Sequence, residues 1–180
     1  MKDFKEGEMV IRKAGLDDSE ILSEVGKVTF TEAFGDTNTK EDLQNYLNRS
    51  FHVHTLRTQL EGRSIFYIAE LNGDAVGYLK LNLEADVPEV EDINAVQLER
   101  IYIRKYLYGA GLGTTLLERA VKVAGELNFD HIWLGVWQEN KRAIDFYLKH
   151  NFKTIGTKLF RIGENITKDF VMLLQISHHQ

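Results

Sequence analysis

Residues 108–114 read Tyr-Gly-Ala-Gly-Leu-Gly-Thr, placing glycines at 109, 111 and 113 directly ahead of the helix-forming run Thr115-Leu116-Leu117-Glu118-Arg119-Ala120. Glycine is poor helix material, so such a run marks a backbone that turns tightly or approaches something closely. A glycine loop between a strand and a helix presents N–H groups without acceptors at the positive end of the helix dipole. The chemistry it offers is anion binding. A nucleotide phosphate loop would follow its last glycine with Lys and Ser/Thr, whereas Gly113 is followed by Thr114 and Thr115. A dinucleotide fingerprint would need its third glycine at 114 and an acidic residue closing the next strand. Here that strand ends Gly135-Val136-Trp137, so neither ATP nor NAD fits. The glycines alone also allow a turn that holds no ligand.

The elements around the loop alternate. Residues 9–13 (MVIRK) read as a strand, and Asp17 and Asp18 cap a helix whose Ile21, Leu22, Val25 and Val28 recur at helical spacing. Residues 39–62 are helical with a break near Arg49–Phe51. SIFYIAEL (64–71), the turn Asn72-Gly73-Asp74 and AVGYLKLNL (75–83) form an antiparallel hairpin. After a loop from Glu84 to Ala95 containing Pro88, VQLERIYI (96–103) is the strand feeding the glycine run, and the helix spans Gly113 to about Leu127. HIWLGVW (131–137) has the apolar character of a strand buried on both faces, and Asn140 starts a further helix through His150. FKTIGTKLF and DFVMLLQI close the chain as two strands around a turn at 162–168.

Composition bounds what these elements serve. A chain of 180 residues fits one domain with a single core, spanning 1–180. The sequence holds no cysteine, which removes thiolate metal sites, disulfides and cysteine nucleophiles. With Lys plus Arg at 22 against Asp plus Glu at 27, the net charge of −5 gives no field for nucleic acid and suits small cationic partners. No run approaches a membrane span and the start carries scattered charges, so a soluble, cytoplasmic protein without membrane contact is expected.

Strand 96–103, the glycine run, and the pattern Asn140-x-x-Ala143-Ile144-x-Phe146-Tyr147-x-Lys149-x-Asn151-Phe152 together resemble the GCN5-related N-acetyltransferase (GNAT) family. LERIYI, IWLGVW and TFTEAF more narrowly resemble the PaiA-like spermidine/spermine N-acetyltransferases. The resemblance implies the α/β (α+β) acyl-CoA N-acyltransferase fold. That fold has a mixed, largely antiparallel sheet, splayed between strands 96–103 and 131–137, with helices on both faces. It further implies acetyl-CoA as co-substrate, its pyrophosphate held by the backbone of Tyr108, Gly109, Ala110, Gly111, Leu112, Gly113 and Thr114. The family loop pattern Gln/Arg-x-x-Gly-x-Gly/Ala falls on Tyr108, Gly111 and Gly113, and Tyr108 departs from it. The main chain of Ile101, Tyr102 and Ile103 would run beside the pantetheine arm, which Asn140 would also contact. Asn151 stands where a helix-ending glycine is common, and Asn is the next-best residue for a left-handed position.

Acetyl transfer needs a deprotonated amine, a polarised carbonyl and a proton for the departing thiolate. By the resemblance Tyr147 is the acid, a phenol that keeps its proton at neutral pH; the same position also suits a core tyrosine. Glu99 is the candidate base, with an ion pair to neighbouring Arg100 as the alternative. His52, His54 and His131 stand without spaced partners, and Gly135 marks either a bulge or a strand left open to ligand. The expected reaction is direct attack by a primary amine in a ternary complex, with no metal. The expected acceptor is a polyamine, and the acidic segment with Glu84, Asp86, Glu89, Glu91 and Asp92 reads either as a solvated loop or as a surface that steers it. Protein N-termini or lysines as acceptors, a CoA-sensing module, and a homodimer stay open.

Overall fold

The computed structural model describes residues 8–177. Seven strands form one sheet in the order β1-β2-β3-β4-β5-β7-β6. They are β1 (Met9–Lys13), β2 (Ser64–Leu71), β3 (Asp74–Asn82), β4 (Ala95–Ile103), β5 (His131–Trp137), β6 (Lys153–Ile162) and β7 (Asn165–Gln175). Every neighbouring pair is antiparallel except β4 with β5. Asn72 and Gly73 both adopt positive φ, 56° and 89°, the paired left-handed conformation that a tight β2–β3 hairpin requires.

Helices cover both faces. Helix α1 (Ser19–Phe34), α2 (Lys40–Ser50) and α3 (Val53–Glu61) lie on one, where Leu22, Phe30, Phe51 and Leu56 pack with Phe66, Ile68 and Tyr78 of the sheet. Helix α4 (Leu112–Glu126) and α5 (Lys141–Lys149) lie on the other, with Leu116, Ala120 and Tyr147 against Leu79, Val96 and Leu134. The break between α2 and α3 falls at Phe51, which is fully buried, and His52 caps α3 by accepting from the His54 amide. Truncating a buried ring of this size to alanine costs about 3–5 kcal/mol.

The sheet is continuous except at its centre. The β3–β4 register pairs Lys80 with Arg100 and Leu81 with Leu98, so Glu99 is the extra residue of a β-bulge. A bulge bends its strand and sharpens the local twist. Beyond it β4 leaves β5: their parallel pairing holds for Ala95–His131, Val96–Ile132 and Gln97–Trp133 and then stops. The splay expected between these strands is present, and the bulge at Glu99 is its physical cause.

Two details differ from expectation. The last two strands are longer and their turn tighter, since pairing runs to Ile162–Asn165 around Gly163 at φ 57°. The segment between β3 and β4, with its five carboxylates, packs over the paired end of β4 and β5. There Val87 is buried with Trp133 and Val171, and Trp133 Nε1 donates to the Ala85 carbonyl at 3.2 Å.

Candidate active site

The glycine loop is fixed from below. Glu32 of α1 accepts from Arg104 Nε at 3.0 Å and from the Lys105 amide at 2.7 Å, tying the end of β4 to the opposite face of the sheet. Gly109 and Gly111 take φ of 81° and 87°, and a Cβ on either would meet nothing within 4 Å. The backbone there is left-handed and the space above it open, which is what glycine supplies and other residues resist. Gly111 is the N-cap of α4, and the first closed turn is Thr115 N–H to Gly111 O at 3.1 Å. The amides of Leu112, Gly113 and Thr114 therefore lack intrahelical acceptors. The Tyr108 and Ala110 amides are already used, donating to Lys105 O and Leu107 O, both at 3.2 Å. Ala110 does not line the cavity, and the Leu112 side chain turns into the core, leaving Leu112 only its amide.

Arg142 completes this half. Its guanidinium carbon lies 3.6 Å from the centroid of the Tyr108 ring. It occupies the first turn of α5, where a cation opposes the helix dipole, and Asn140 caps the same helix by accepting from the Ala143 amide at 3.2 Å. Asn151 adopts φ 66° and ends α5 as its residue type allows.

A cavity of about 620 Å³ runs from the loop through the splay. Ile101, Tyr102, Ile103, Tyr108, Gly109, Gly111, Gly113, Thr114, Asn140 and Tyr147 all line it. Tyr147 is 8% exposed, packed at 5.3 Å from Phe146 and 5.4 Å from Phe152, so it is both a core residue and a cavity residue. Burial pushes its phenol above the ordinary value of 10, with Arg142 opposing the shift slightly, so it holds its proton at neutral pH.

On the side facing α1 and α2 the wall is aromatic. Phe30 stacks on Tyr46 at 4.7 Å, with Phe34, Tyr102 and Phe160 beside them. Two carboxylates line the cavity. Glu99 is engaged: Oε2 meets buried Lys80 Nζ at 2.7 Å and accepts from Asn82 at 3.3 Å, while Oε1 is 3.7 Å from Arg100 Nε. Burial lowers the Lys80 pKa and Glu99 opposes that shift, so the pair holds the bulge. The second carboxylate, Asp169, is 7% exposed, and Oδ1 has no hydrogen-bond partner. Gly135 lies beneath Lys158 and Asp169, and a Cβ there would collide with the Lys158 side chain.

Arg142 and Asp169 belong to no motif that singles them out, yet each leaves a trace in the sequence. Arg142 is a cation in a helix's first turn, and Asp169 is the charge directly ahead of the apolar run Phe170-Val171-Met172-Leu173-Leu174. The acidic residues of the β3–β4 segment do not line the cavity, because that segment covers the closed end of the splay. His52, His54 and His131 are also outside its lining. Among the described residues no group of three or more His, Asp or Glu is placed to hold a metal, and no helix is long and apolar enough to cross a membrane.

A bulge-driven splay, a glycine cradle at a helix start and a buried phenol between them define an acyl-coenzyme A N-acyltransferase fold. The model of the Acetyltransferase (GNAT) family matches residues 28–152, and the chain belongs to that family. It is 32% identical over 149 residues to an uncharacterized N-acetyltransferase of Lactobacillus delbrueckii subsp. lactis, covering 82% of this chain and 86% of that one. It is 24% identical over 152 residues to the spermidine N(1)-acetyltransferase of Thermoplasma acidophilum, covering 82% and 89%. The PaiA N-acetyltransferase of T. acidophilum, solved with coenzyme A, superimposes with a TM-score of 0.78 at 22% identity over 93% of this chain and 99% of that one. The chain is an N-acetyltransferase.

Proposed function

We propose that this N-acetyltransferase acetylates a primary amine of a small molecule, with a polyamine such as spermidine or spermine as acceptor, by direct attack in a ternary complex. The observation that carries the reading is the open splay, with the amides that α4 leaves without intrahelical acceptors at one end and the Tyr147 phenol inside it. The amides of Leu112, Gly113 and Thr114, with the Arg142 guanidinium, would hold the pyrophosphate. The unpaired edge of β4 at residues 101–103 would pair with the pantetheine amides, with Asn140 beside it. Tyr147 would protonate the departing thiolate.

The acceptor would enter from the aromatic side, where Phe30, Phe34, Tyr46 and Phe160 suit an alkyl chain and Glu99 and Asp169 supply negative charge. Arg100 and Lys158 stand on the same wall, so the attraction for a polycation is local rather than a broad field. The spermidine N(1)-acetyltransferase of T. acidophilum is a relative whose acceptor favours this class. The test is thiol release from acetyl-CoA with polyamines, monoamines, amino acids and peptides at saturating donor. Turnover with polyamines above the rest is expected. Turnover with peptides alone would replace the acceptor, and none with any amine would leave a coenzyme-sensing module.

A further inference from the structure

Asp169 begins the described contacts of β7 with the splayed strand: it lies opposite Trp137 on β5 and opposite Lys158 on β6. Alternation along β7 sends Phe170 and Met172 toward the α4 and α5 face and Val171 toward Trp133 and Val87. Asp169 shares the face of Val171, away from the glycine loop and toward the aromatic wall. Its side chain lines the cavity, is 7% exposed, and leaves Oδ1 buried without a partner. Such an oxygen is normally paired, because a buried charged acceptor left without a partner keeps its full desolvation cost.

The neighbours do not satisfy it. Among the described residues Asp169 closes no ion pair within 4.0 Å. Lys158 acts on it electrostatically, and β5 presents only Gly135 and Trp137 beside it. A Cβ on Gly135 would lie 3.2 Å from Asp169 Oδ2 and 3.1 Å from Lys158 Nζ, so the absent side chain is what leaves room for both. Glu99, the other carboxylate of the wall, is held by Lys80 at 2.7 Å and by Asn82.

We infer that Asp169 is the acceptor-side carboxylate of this enzyme: it receives the acceptor's ammonium group and takes its proton, while Glu99 holds the bulge. This rests on the amine-acetylation reading above. The ammonium N–H bond breaks as an O–H bond forms on Asp169, and that proton later passes to solvent. The neutral amine attacks the thioester carbonyl, the C–S bond breaks, and the thiolate takes a proton from Tyr147. The proton shed by the new amide nitrogen restores the phenol through solvent, so one proton is released for each ammonium acetylated. Burial raises the Asp169 carboxyl above its ordinary value, with Lys158 opposing, which brings it closer to the range where a base works near neutrality.

The test uses D169N, which keeps the shape of the side chain, with acetyl-CoA affinity measured to confirm an intact fold. Two acceptor types are compared at neutral pH: an alkylamine, which arrives protonated, and an arylamine or hydroxylamine, which arrives neutral. D169N should lose about 10²-fold or more in kcat/KM with the alkylamine and less than about tenfold with the neutral amine. Equal losses with both, or none with either, overturn the assignment. Wild-type turnover decides the amine-acetylation reading separately. A readout free of turnover is the Asp169 carboxyl carbon resonance, assigned by its absence in D169N. It should shift when spermidine is added to the coenzyme A complex, and an unmoved resonance overturns the assignment as well.

Discussion

The Arg142 guanidinium carbon stands 3.6 Å from the ring centroid of Tyr108, joining the first turn of α5 to the loop that opens α4. Tyr108 occupies the place where the family pattern has Gln or Arg, so the charge absent from the loop is brought to it from the next helix. The ring acts as the platform that orients it. Arg142→Ala should therefore weaken coenzyme A binding about tenfold or more, and Tyr108→Ala should do nearly the same. The double variant should be little worse than either single one, because the two residues act as a unit. Calorimetric titration checks this, and additive losses would separate the two roles.

Gly111 carries the left-handed φ of 87° at the cap of α4, whereas a Cβ on Gly113 would only touch the Phe146 ring at 3.6 Å. Gly113→Ala should leave coenzyme affinity within a few-fold. Gly111→Asp should abolish binding, by straining the cap and placing negative charge where the proposed pyrophosphate site lies. Unchanged affinity in Gly111→Asp would remove the cradle.

Much of this site is legible locally and much is not. Asn72-Gly73, the glycine loop, the Asn140 cap and Asn151 each declare a backbone conformation through their own residue type, and each adopts it. Helical and strand periodicity places the remaining elements within a few residues, because burial on one face repeats every turn or every second residue. The bulge at Glu99, the Lys80–Glu99 pair and the seat of Asp169 over Gly135 depend on strand register, which no single segment encodes. The acidic run at 84–92 stays open between a solvated loop and a steering surface for the same reason. Its charge is plain in the sequence, but its position at the closed end of the splay is a property of the sheet.

Neutralising Glu89, Glu91 and Asp92 together should consequently leave KM for spermidine within about twofold, since surface charges beyond about 8–10 Å are screened at physiological salt. Steady-state kinetics at that salt concentration check it. A large rise confined to spermidine would return the acidic segment to the acceptor path.

Asp169 should also carry a stability signature. Its native pKa is raised by burial, so between the ordinary carboxyl value of 3.8 and the native value the folded state binds more proton than the unfolded one. Stability contributed by the protonated form is present below the unfolded pKa and lost as pH rises through the native one. D169N should thus melt higher than wild type at neutral pH, with the gap closing toward pH 4. A domain of this size gains roughly 2–4 °C per kcal/mol. Melting curves across that range check it, and a variant less stable at neutral pH would mean the carboxylate is satisfied in the native state.

We propose that the buried Tyr147 phenol serves the acetyl transfer rather than the core alone. Tyr147→Phe keeps the ring contacts with Phe146 and Phe152 and deletes one hydroxyl. The most direct test is kcat for this variant at saturating acetyl-CoA and amine, beside its calorimetric affinity for acetyl-CoA. A fall in kcat of about 10²-fold or more with affinity nearly unchanged is predicted. A wild-type kcat would contradict the account and leave Tyr147 a packing residue.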